Sequence, residues 1–191
     1  MIGTVPKLRA SHAYLLATLV TLVGNVTLIT FWRDNAEDAL SYVADNAWQP
    51  YILLMSYTLA VVALTIYFLK GHFFAHVDAS KTFRTTYYLG LLSLVVLNAT
   101  PSLNPTLLSI HLGLGLLSFG VNLFIYAQLV LNPVVRMPVK LYTLLTVIIA
   151  SLMFVLVKSI WSQVIFTALG QSVIIVCAYW PKAIPPLDQL D

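Results

Sequence analysis

The chain has 191 residues, 60% of them hydrophobic and only 9% charged, with a mean hydropathy of +0.89. That leaves too little polar surface to cover a soluble domain of this length, so the composition excludes one and points to a membrane protein. The formal net charge is +3, but the basic residues are scattered over several short segments with no nucleic-acid motif beside them, which argues against a nucleic-acid partner and leaves anionic-lipid contact as a secondary effect. Cys177 is the single cysteine, so a disulfide framework or a Cys-rich metal or iron–sulfur site is excluded within one chain.

The charges cut the sequence into uncharged stretches: Ala10 to Trp32, Asn46 to Leu69, Thr85 to Val135, Leu141 to Val157 and Ser159 to Pro181. Each reaches the ~17 to 25 residues with which a helix crosses ~30 Å of hydrocarbon, and the third is long enough to cross twice. Within it, Asn98-Ala-Thr-Pro101-Ser-Leu-Asn104-Pro105 is a cluster of turn formers that would leave backbone groups unpaired in lipid. Splitting there gives six spans in one all-α transmembrane domain, 1–191.

In chain order, helix 1 is expected over Ala13 to Trp32, and it resembles a retained span rather than a cleaved leader because no small-x-small site follows it. A loop, Arg33 to Pro50, carries Asp34, Glu37, Asp38 and Asp45. Helix 2 is expected over Tyr51 to Leu69, with Pro50 at its start, where a missing N–H matters little. Lys70 to Arg84 reads as a loop. Helices 3 and 4 are expected over Thr85 to Leu97 and Thr106 to Leu131. Asn132-Pro133 ends helix 4 and Pro138 opens helix 5, expected over Val139 to Val157. A very short connection leads to helix 6, Ile160 to Trp180, so these two form a tight antiparallel hairpin. Trp32, Trp48, Trp161 and Trp180 all fall at span ends, as aromatic belts do.

Orientation follows from the loops, because Lys and Arg near span ends resist translocation. With the N-terminus in the cytoplasm, Lys7, Arg9, Lys70, Lys81, Arg84, Arg136, Lys140 and Lys182 fall inside, and only Arg33 and Lys158 fall outside. Both termini are therefore expected in the cytoplasm, in a multi-pass integral membrane protein.

Polar residues within spans are costly in lipid and so face protein or a cavity. On helix 4, His111, Gly115, Ser118 and Asn122 lie within about 60° of one another at 3.6 residues per turn. Helix 1 offers Tyr14, Thr18, Thr21 and Asn25, and helix 6 offers Thr167, Gly170 and Gln171. The plainer reading is a packing seam, in which small and amide side chains let helices approach and bond across. The alternative is a polar pocket between helices 1, 4 and 6. Its candidate ligand-binding residues are His111, Ser118, Asn122, Asn25 and Gln171, with Asp45 of the outer loop. His111 is the least easily explained as glue, and a partner is expected for it from another helix or the outer loop.

Other chemistry finds little support. His72 and His76 have the i, i+4 spacing of a helical metal pair, but the intervening Phe-Phe-Ala lacks the usual Glu and no third ligand has a fixed register. A single span histidine, His111, does not provide bis-histidine haem ligation. No metal or cofactor is expected. There is no Gly-x-Ser-x-Gly elbow, no Ser-His-Asp set, and no paired carboxylate at membrane depth. Asn98-Ala-Thr100 is a sequon close to the membrane and followed by Pro101.

The six-span plan resembles the DRAM-like family. The matching features are the outer loop ending in Ser41-Tyr42-Val43-Ala44-Asp45 before helix 2, and His111 opening a glycine-rich span, Ile110-His-Leu-Gly-Leu-Gly115. Where that family often carries an acidic residue followed by an aromatic one in the last span, this chain has Gly170-Gln171-Ser172. The resemblance implies a non-enzymatic bundle that binds membrane lipids or another membrane protein and regulates lipid handling. The alternative is a small-solute transporter or channel with a polar path between helices 1, 4 and 6; a membrane-embedded lipid enzyme ranks third.

Overall fold

The computed structural model describes residues 9–31, 48–74, 80–100, 105–133, 135–156 and 160–179. They form six helices: α1 (Ala10–Phe31), α2 (Trp48–Phe68), α3 (Lys81–Ala99), α4 (Pro105–Leu131), α5 (Met137–Leu156) and α6 (Ile160–Tyr179). No strand occurs among the described residues. Among the described residues, three stretches are long and apolar enough to cross a membrane, namely Ala10–Phe31, Trp48–Phe73 and Leu107–Leu131.

Several helices outrun their expected ends, for local reasons. Ser80 caps α3 by accepting the Phe83 backbone N–H at 3.1 Å, which brings the start forward to Lys81 instead of Thr85. At its other end α3 runs through Asn98, and the break comes at Thr100, whose hydroxyl donates to the Val96 carbonyl at 2.7 Å. The expected loop from Lys70 is a larger departure. After Phe68 the chain continues through a π-helical turn, Leu69–Phe73, to Phe74. The wider turn rotates Phe73 and Phe74 into the core and lays Gly71 against Ala10 at the start of α1. A Cβ on Gly71 would sit 2.6 Å from that of Ala10.

Each helix packs on its sequence neighbours, and α6 returns to α1, so the six close into a ring. Apart from the 16 residues between α1 and α2, the connections are short, as expected for neighbouring antiparallel helices. The ring interior is filled at one end by a large cluster that includes Tyr14, Phe68, Phe73, Phe83, Tyr87, Tyr126 and Cys177. A smaller cluster of Leu28, Ile29, Leu54 and Val164 fills the other end. Large apolar side chains point outward along the helices, Leu116 at 74% exposure among them. Every described Lys and Arg (Arg9, Lys70, Lys81, Arg84, Arg136 and Lys140) lies at the aromatic end, and no Asp or Glu occurs among the described residues. Trp48, at the opposite end, is exposed.

Candidate functional site

Between the two interior clusters, α1 and α6 part to leave a cleft of about 50 Å³, lined by Thr18, Thr21, Leu22, Asn25, Val164, Thr167, Ala168 and Gln171. The spacing of Thr18, Thr21 and Asn25 puts them on one face of α1, and Thr167 and Gln171 are one turn apart on α6. None of the lining side chains is ionisable.

The cleft is built by hydrogen bonds that run across helices. Tyr57 of α2 donates its hydroxyl to Asn25 Oδ1 at 2.7 Å. Gln171 Nε2 donates to Thr21 Oγ1 at 3.2 Å, and Thr21 in turn donates to the Ala17 carbonyl at 2.9 Å. Thr18 donates to the Tyr14 carbonyl at 3.0 Å. These bonds fix one end of each amide. Among the described residues, the other ends, Asn25 Nδ2 and Gln171 Oε1, have no hydrogen-bond partner. Asn25 is only 4% exposed, but the fully buried side-chain atom without a partner among the described residues is the Tyr179 hydroxyl, so Asn25 Nδ2 keeps some exposure at the cleft that the residue lines.

The close approach of α1 and α2 makes this geometry possible. Gly24 leaves room for the Tyr57 ring, three of whose carbons would lie 2.5 to 2.8 Å from a Cβ there. A larger residue would push the ring that orients Asn25.

The remaining sequence candidates lie elsewhere. His111 is half-buried, and its Nδ1 donates to the Thr100 carbonyl at 2.8 Å, which ties the start of α4 to the end of α3. Since a carbonyl only accepts, this bond sets the tautomer with the proton on Nδ1. Ser118 is buried, and Asn122 donates to its carbonyl at 2.8 Å within α4. Ser118 and Asn122 are not among the residues lining the cleft. What α4 sends toward α6 is Phe119, whose ring centroid lies 5.5 Å from that of Phe166, and Tyr126, whose hydroxyl abuts Gly170. Asp45 lies outside the described residues, as does His76. His72 sits on the π-helical turn, not in a loop, with Nε2 3.4 Å from the Ala178 carbonyl and its ring against Phe68 and Tyr179.

The polar stripes of helices 1, 4 and 6 leave out partners that the other helices supply. Tyr57 on α2 holds Asn25. Asn98 Nδ2 on α3 donates to Thr58 Oγ1 at 2.9 Å, which places the sequon asparagine in a helix–helix seam. Tyr142 on α5 is hydrogen-bonded to Ser172 on α6 at 2.7 Å. Tyr14, Tyr87 and Tyr126 meet in the core from α1, α3 and α4. The available signal was a tyrosine or amide inside an apolar run, which needs a partner wherever it falls.

Comparison with known protein families, with curated proteins and with solved structures finds no match to this chain.

Proposed function

We propose that this chain is a six-span integral membrane protein with both termini in the cytoplasm, whose bundle binds a membrane lipid or a membrane partner and carries out no chemistry of its own. The outward apolar faces and the gathering of the described Lys and Arg at one end support the topology. The observation that supports the binding role is the α1/α6 cleft, a small and mostly apolar notch whose lining includes Asn25 and Gln171, each with one end of its amide outside the cross-helix bonds. The DRAM-like kinship expected from the sequence belongs to the same proposal.

Filling the notch tests it. Ala168 is exposed and lines the cleft, so Ala168→Phe blocks the space without removing a hydrogen bond. Native mass spectrometry after extraction in mild detergent should show a lipid retained by the wild-type protein and lost from Ala168→Phe, with melting unchanged. Equal retention in both, or none in the wild type, refutes the assignment.

A further inference from the structure

Resting on that reading, the cleft's own chemistry narrows its ligand. We infer that it takes the free hydroxyl of a neutral lipid, with the hydrocarbon tail leaving past the apolar rim.

Depth comes first. Thr18 and Asn25 lie about 12 Å from the Ala10 end and about 9 Å from the Phe31 end of α1, at about 1.5 Å per residue, so the notch straddles the middle of the span. A charged headgroup is penalised there, and no ionisable side chain lines the cleft to compensate it. The group that enters is therefore uncharged. Size is compatible: about 50 Å³ holds roughly four water-sized groups, room for a hydroxyl and its carbon.

Hydrogen-bond polarity then separates the neutral groups. Asn25 Nδ2 can only donate and Gln171 Oε1 can only accept. An ester or ether oxygen answers the first alone. A hydroxyl answers both, accepting from Asn25 and donating to Gln171. Leu22, Val164 and Ala168 supply the apolar wall along which the rest of the molecule lies. Diacylglycerols and sterols share this chemistry.

The test uses full-length protein in phosphatidylcholine nanodiscs doped with dioleoylglycerol, with cholesterol, or with the O-methyl ether of either, and counts retained adducts by native mass spectrometry. The wild type should retain one free-hydroxyl lipid at least fivefold over its own ether, and whichever lipid shows that preference identifies the source. Gln171→Leu should bring the ratio close to one. Equal retention of alcohol and ether by the wild type overturns the hydroxyl inference while leaving a lipid site in place. Loss of every lipid adduct from the wild type overturns the lipid reading itself. Because the ether comparison needs no mutation, it decides the matter even if Gln171→Leu fails to fold.

Discussion

Gly24→Ala is the smallest change that should disturb the cleft without touching a polar atom. The new Cβ would meet Tyr57 Cδ1 at 2.5 Å, where ordinary contact begins at 3.4 Å. The ring must therefore retreat by about 0.9 Å. If the hydroxyl moves with it, the 2.7 Å bond to Asn25 stretches to about 3.6 Å, beyond hydrogen-bonding range. Overpacking of this kind costs about 1 to 3 kcal/mol and an interhelical hydrogen bond is worth about 0.6 to 1.7, so a loss of about 2 to 5 kcal/mol is expected. Thermal melting in detergent reads this, and Tyr57→Phe, which removes the hydroxyl alone, isolates the shared part. Because both changes break the same bond, the double variant should melt above the sum of the single effects, with a coupling of about 0.6 to 1.7 kcal/mol. Strict additivity, or a Gly24→Ala protein as stable as the wild type, would refute the reasoning.

Other changes follow from the same contacts. Gly170→Ala should lower the melting temperature because its methyl group displaces the Tyr126 hydroxyl, and adding Tyr126→Phe should restore part of the loss. His111→Leu removes the bond to Thr100 and should destabilise the protein by about 1 kcal/mol, whereas His12→Leu, at an exposed site, should leave melting unchanged. Tyr142→Phe should cost about 0.6 to 1.7 kcal/mol through the lost bond to Ser172, read by melting alongside Ser172→Ala, with little further loss in the double variant.

The helical architecture was legible because a handful of charges punctuate long apolar runs, and each described run became a helix. Helix ends were less legible. The Ser80 cap lies within a stretch whose Lys81 and Arg84 argue for solvent, and the π-helical turn depends on the packing of Phe73 and Phe74, a tertiary effect that local sequence does not encode. For the site, the stripes on helices 1 and 6 carried the information: Asn25 and Gln171 line one cleft with Thr18, Thr21 and Thr167. The α4 stripe has the same spacing as the α1 stripe, so periodicity gives no means of separating them. What separates them is ring position. α4 packs between α3 and α5, so His111 finds Thr100, and Asn122 finds its own backbone.

The depth of the cleft and its reading as a lipid site both rest on six crossings with the basic end in the cytoplasm, and impermeant-reagent labelling in sealed cells tests that most directly. With Cys177 replaced, single cysteines at Ala47 and Ser102 should react from outside, and single cysteines at Ala79 and Val135 should react only after permeabilisation. Labelling of Ala79 from outside, or protection of Ala47, would contradict the account by reversing or removing the crossings on which it is built.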